Sequence, residues 1–157
     1  MRKLVLDTNI LISALIKDST TRKMIFHFPG ELYFISFSKE EIQEYEVLLL
    51  RKTKKDKEEF ERILGSIINK LIILNEKDVA LMMEEAKKIM DKIDPDDTPF
   101  IAAALLANAD IWSDDKHFEK QNKIKVWKTS EVYKIFIEDW EDWTKKMREK
   151  DKKRAYF

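Results

Sequence analysis

Lys3-Leu4-Val5-Leu6-Asp7-Thr8-Asn9-Ile10 decides the fold. Leu4, Val5 and Leu6 form an unbroken apolar run, which suits a short buried strand. Asp7-Thr8-Asn9 stops it, because short polar side chains bond to nearby backbone and favour turns and caps. Ile10 to Ile16 then reads as a helix. A buried strand running straight into a helix is how a parallel α/β sheet begins.

The rest of the chain repeats that alternation. Thr20 to Phe28 reads as a second helix, ended by Pro29-Gly30. Leu32 to Phe37 is aromatic and β-branched and reads as a strand. Ser38-Lys39-Glu40-Glu41 has the form of a capping box, with a helix running on to about Lys52. Lys54 to Asn69 is another helix and Leu71 to Leu74 a third strand. Asp78 to Ile93 carries one helical pattern. Asp94-Pro95-Asp96-Asp97-Thr98-Pro99 is a loop and helix start with proline near the first turn. It leads into an alanine-rich helix, Phe100 to Asn108, able to pack closely on a sheet. Asp110 to Ser113 and Lys123 to Trp127 read as the fourth and fifth strands. Thr129-Ser130-Glu131 opens a long final helix, expected to fray from about Asp151. The expected fold is α/β, with a central, mainly parallel sheet of about four to five strands covered on both faces.

Composition narrows the classes. The 157 residues suit one domain with a sizeable core. No apolar run is long enough to span a bilayer, and Asp7 arrives too soon for a signal-peptide apolar region. With no cysteine there is neither a disulfide framework nor a thiolate metal site. A cytoplasmic, soluble protein is expected. Thirty basic residues balance thirty acidic ones, so any nucleic-acid binding must come from local patches. A charged fraction of 38% fits an ion-pair-rich surface of the thermophile kind.

The acids worth weighing sit where strands end or helices begin. Asp7 ends the first strand, Asp97 opens the alanine-rich helix and Asp115 follows the fourth strand. In open α/β sheets, ligands bind beyond the carboxyl ends of the strands, where these three acids converge if their strands are parallel neighbours. Crowded carboxylates resist joint ionisation and call for a cation. Oxygen-only donors, with no cysteine and no suitably paired histidine, point to Mg²⁺ or Mn²⁺. Such an ion activates water for in-line attack on a phosphodiester. Against this stands the plainer role of aspartate as a cap or turn former.

Four pieces, in order, resemble the PIN-domain family across roughly the first 130 residues. They are Leu4 to Leu15, then Ser38 with Glu44-Tyr45, Leu48-Leu49 and Arg51, then Asp94 to Leu105, then Ala109 to Phe118. The first, third and fourth are specific in combination. The resemblance implies a PIN-like three-layer α/β/α fold and a metal-dependent ribonuclease, often the toxin of a toxin–antitoxin pair. It implies Asp7 and Asp97 as the strongest metal ligands, with Glu44 and Asp115 completing the acidic cluster. Asn9 and Ser113 would orient those ligands through hydrogen bonds. Asp114 stands where the family commonly has glycine, which leaves open whether Asp114 or Asp115 is the fourth acid. RNA as substrate, an antitoxin protein and a homodimer follow as expected partners. Residues 1–130 would be the nuclease core and 131–157 a C-terminal helix packed on or extending it.

Other features carry less. Arg51-Lys52-Thr53-Lys54-Lys55 could flank an RNA path but reads equally as a solvated charge run. His117 reads as a surface or helix-start residue, and His27 carries no functional reading. Tyr133, Phe136, Ile137, Trp140, Trp143 and Met147 follow helical spacing, as either core packing or a partner surface. A phosphotransferase using Asp7 as nucleophile would want a second aspartate where Asn9 stands. A non-catalytic PIN-like scaffold binding RNA or protein, or an RNA-processing nuclease outside any toxin–antitoxin pair, are the remaining alternatives.

Overall fold

The computed structural model describes residues 2–16, 20–36, 39–53 and 56–155. Within them run β1 (Arg2–Leu6), α1 (Thr8–Ile16), α2 (Thr20–Phe26), β2 (Gly30–Ile35), α3 (Lys39–Thr53), α4 (Lys57–Lys70) and β3 (Ile72–Leu74). They are followed by α5 (Glu76–Ala80), α6 (Met83–Met90), a 3₁₀ turn (Pro95–Asp97), α7 (Thr98–Ala107) and β4 (Asp110–Trp112). A second 3₁₀ turn (Lys116–Lys120), β5 (Val126–Trp127) and α8 (Thr129–Ala155) complete the described elements.

The five strands form one parallel sheet in the order β3-β2-β1-β4-β5. Period-two alternation sends successive side chains to opposite faces. Leu4, Leu6, Leu32, Phe34 and Trp112 meet α1, α2, α3, α4 and the start of α8 on one side. Val5, Tyr33 and Ile111 meet α5, α6 and α7 on the other. The result is a three-layer α/β/α fold whose central strand, β1, is buried on both faces. The alanines of α7 let that helix lie close: Ala102 and Ala103 are fully buried. The start of β2 is equally tight, since a Cβ on Gly30 would stand 2.2 Å from the Arg2 carbonyl oxygen.

Three departures from the sequence reading have local causes. The pattern over 78–93 is broken into α5 and α6. Asn75 caps α5 by accepting from the Asp78 amide, which moves the start upstream. The Leu81 and Met82 amides then bond to Asp78 and Val79, three residues back, and this tighter winding ends the first helix. β5 is only two residues long because Gln121 takes up the chain before it, accepting from the Lys123 and Ile124 amides. α8 continues past Asp151 to Ala155, with Lys152, Lys153 and Arg154 in its last turn, where cations favour the helix dipole. Ser38 of the capping box, Phe37, Lys54 and Lys55 lie outside the described residues, as does the side chain of Glu41.

Candidate functional site

The strand order places a topological switch between β1 and β4: the chain leaves β1 toward β2 and β3, then returns to its other side. At such a point the loops diverge and open a crevice beyond the carboxyl ends. Asp7 follows β1 there and Ser113-Asp114-Asp115 follows β4. Asp97 comes from the 3₁₀ turn that leads into α7, the helix packed over both strands.

Hydrogen bonds fix this edge. The Asp7 amide donates to the Trp112 carbonyl at 3.1 Å, tying the two strand ends together. The Ser113 hydroxyl, 1% exposed, donates to Asp7 Oδ2 at 2.6 Å and accepts from the Asp115 amide at 3.0 Å. Asp115 Oδ1 accepts from the His117 amide at 2.9 Å, starting the second 3₁₀ turn. That turn points the Nδ1 edge of the half-exposed His117 ring toward the acids. His117 Nδ1 lies 3.0 Å from Asp94 Oδ2, 3.5 Å from Asp115 Oδ1 and 3.6 Å from Asp97 Oδ2.

The plain cap reading can be weighed acid by acid. Asp115 does cap its turn. Asp7 accepts from the Asn9 amide, at a long 3.4 Å. Asp97 precedes α7 but makes no side-chain cap bond, and its Oδ2 is buried without a hydrogen-bond partner, as is His117 Nδ1. These two atoms stand 3.6 Å apart, just beyond hydrogen-bond reach. Buried polar atoms are rarely left so, and a cation would satisfy both. Asp94, Asp97 and His117 can each offer one donor atom, all within 4.8 Å of one another.

The electrostatics agree. Burial pushes the Asp97 carboxyl up to about 6, reinforced by Asp94, Asp115 and Asp7 and only partly opposed by His117. Burial also raises Asp7, with Asp115 adding to it, while the Ser113 hydroxyl and the Asn9 and Thr8 amides pull the other way. The carboxylates crowd one another more than they are neutralised.

The sequence candidates thus separate. Asp7, Asp97, Asp115 and Ser113 come together. Asn9 reaches Asp7 through its backbone amide, and its side chain is exposed. Glu44 is exposed on α3 and makes no hydrogen bond or ion pair among the described residues. Asp114 turns away: its carboxylate accepts from the Thr129 amide at 2.7 Å and hydroxyl at 2.6 Å, capping α8. Arg51 and Lys52 are exposed at the end of α3. The expectation of a site without a paired histidine is corrected, since His117 faces three carboxylates. Asp94 was missed as well, because it looked like a loop residue ahead of Pro95. Its position three residues before Asp97 was the available signal, as was the Asp115-x-His117 spacing, which lets the aspartate bond the histidine amide.

A family model described as the PIN domain matches residues 5–136. Among solved structures the chain is similar to VapBC2 from Rickettsia felis, bound to a DNA fragment from its promoter. The identity is 16%, the TM-score 0.59, and the match covers 80% of this chain and 98% of that one. It is also similar to a toxin–antitoxin complex from Klebsiella pneumoniae, at 19% identity and a TM-score of 0.49, over 72% of this chain and 87% of that one. No curated protein matches. At these identities the first likeness bears on the fold, and that fold is the three-layer arrangement described above.

Proposed function

The chain belongs to the PIN-domain family, and from that premise we propose a metal-dependent endoribonuclease that hydrolyses RNA phosphodiester bonds, as the toxin of a toxin–antitoxin pair. One observation carries the reading: Asp7, Asp97 and Asp115 crowd the switch point around two buried polar atoms that lack partners. The crowded carboxylates fit a divalent cation of the Mg²⁺ or Mn²⁺ kind. Asp7, Asp97 and Asp115 would hold it, with Glu44 as the fourth acid carried over from the family resemblance. When bound, the cation lowers the pKa of water and offsets charge on the phosphate.

The chain's own groups do the positioning. Ser113 fixes the Asp7 carboxylate by donating to Oδ2, and its bond from the Asp115 amide couples the two acids. His117 is held by Asp115 and keeps its imidazole beside Asp94 and Asp97. Arg51 and Lys52, exposed two turns further along α3 from Glu44, would supply cations for a phosphate backbone. Residues 1–130 would be the nuclease core and 131–157 its extension. A homodimer and an antitoxin are the proposed partners.

The test is cleavage of labelled RNA by purified protein with Mg²⁺, with Mn²⁺ and with excess EDTA. Metal-dependent cleavage, lost in Asp7→Asn and Asp97→Asn while both variants still fold, is expected. Full activity in EDTA would overturn the reading. Metal binding by calorimetry without any cleavage would favour a scaffold that binds RNA. Growth arrest on expression, relieved by a small neighbouring reading frame, separates a toxin from an RNA-processing enzyme.

A further inference from the structure

α8 outruns the domain it belongs to. Val132 and Ile135 anchor its first turns in the core, whereas Trp140, Trp143 and Met147 are 46%, 54% and 41% exposed. Tyr133, Phe136, Trp140, Trp143 and Met147 are spaced three, four, three and four apart. That is the seam of a coiled coil, narrower than the stripe of a helix lying on a globular core. The rings already form a ladder: Phe136 stacks on Trp140 at 6.4 Å and Trp140 on Trp143 at 5.5 Å. His27 and Pro29 close one side of a cavity of about 520 Å³ beside Phe136, Trp140 and Trp143, large enough to admit side chains from outside.

Charge says what covers this seam. Glu138, Asp139, Glu141 and Asp142 make the first stretch acidic. Lys145, Lys146, Arg148, Lys150, Lys152, Lys153 and Arg154 outweigh Glu149 and Asp151 in the second. Reversing the helix about the middle of the seam therefore brings Lys145 and Lys146 of one copy toward Glu138 and Asp139 of the other, and leaves Glu141 and Asp142 off the seam. We propose that α8 of a second copy of this chain packs here antiparallel, in a two-fold pair centred between Glu141 and Asp142. In that register Trp140 meets the partner's Trp143, and Met147 meets the partner's Phe136. Asp139 and Lys146 fall at matching flanking positions, so each Asp139 faces a Lys146 across the seam, twice by symmetry. Ile137 and Thr144, uncharged, meet on the other flank. Parallel pairing would instead set acidic stretch against acidic stretch and basic against basic, at a cost in like-charge contacts. This gives the proposed homodimer a face and a register. It does not depend on the nuclease reading, because no group at the carboxyl edge takes part.

Sedimentation of the full chain at micromolar concentration, with circular dichroism to check folding, tests it. The wild type is expected near twice 18.8 kDa, with tryptophan fluorescence that shifts to the blue on association. Asp139→Lys alone and Lys146→Asp alone should each weaken the dimer about tenfold or more, since like charges then face each other. Both changes in one chain should restore it, because the pairs are re-formed with sign reversed. A monomer throughout, a dimer indifferent to the single changes, or a double variant that stays dissociated would each overturn the proposal. A dimer indifferent to all of them would move self-association to some other face.

Discussion

The two ends of the sheet handle charge in opposite ways. At the amino end the charged groups are paired: Lys125 and Arg2 lie over the Trp127 ring at 4.0 and 5.0 Å, Trp127 Nε1 donates to Asp110 at 2.9 Å, and Lys3 reaches the Ala107 carbonyl. At the carboxyl end Asp94, Asp97 and Asp115 surround one imidazole, Asp7 lies close enough to repel Asp97, and two buried atoms are unsatisfied. One end serves the fold, and the other holds crowded carboxylates whose repulsion a proton or a bound cation would relieve. Unfavourable groups concentrated in one crevice are a physical signature of function.

The largest effect should come from breaking the carboxyl end. Asp7→Asn or Asp97→Asn is expected to lower metal-dependent cleavage about a hundredfold or more, and Ser113→Ala, which frees the Asp7 carboxylate, by about tenfold to a hundredfold. Asp110→Asn at the other end should leave cleavage unchanged in the same assay. Equal losses at both ends would mean the contrast is not functional.

Glu44 and Glu41 stand one turn apart on α3. Glu44→Gln should cripple cleavage with little change in melting temperature. Glu41→Ala should leave cleavage nearly intact and cost about 1 kcal/mol or less, as lost caps do. The reverse pattern would hand the site role to Glu41.

The metal-free protein should show the repulsion in its pH dependence. The Asp97 carboxyl titrates near 6 when folded and near 3.8 as a free group, so between those values the folded state binds more protons than the unfolded one. Stability from this group is full below about 3.8 and declines as pH rises through about 6. Melting scans in EDTA should show that decline, and Asp97→Asn should flatten it and raise the melting temperature at neutral pH. An unchanged slope in the variant would place the repulsion elsewhere. Added Mn²⁺ should bind more weakly as pH falls through the same range, because protons compete for the same oxygen. The smallest effect belongs to the amino end: Asp110→Ala unpairs the Trp127 ring nitrogen and should cost about 1 kcal/mol at any pH above the carboxylate range.

Much of the fold was legible because buried parallel strands announce themselves. Leu4-Val5-Leu6 and Leu32 to Ile35 are apolar on consecutive positions, and Ala102 to Ala104 mark a helix that must lie close. What escaped were places decided by single side-chain bonds: the Asn75 cap that moves α5, and Gln121 shortening β5. The same holds at the site. Asp7, Asp97 and Asp115 stand at element ends and could be named from sequence. Asp94 and His117 join them only through the path of two 3₁₀ turns, which no periodicity encodes. The sequence put Asp115 forward and kept Asp114 as the alternative; in the fold the Asp114 carboxylate is taken up by Thr129 at the start of α8.

The edges of the sheet carry one more consequence. β3 has three residues and β5 two, and each runs almost at once into a capped helix. An exposed strand is a template on which other chains can add and polymerise, and brevity is one way proteins deny it. Ile72 and Ile73 are 43% and 41% exposed at one such edge, yet so short a strand offers too few backbone groups to seed a fibril. A protein of this shape should resist aggregation through its sheet when heated or concentrated, and any clumping should begin from its helices.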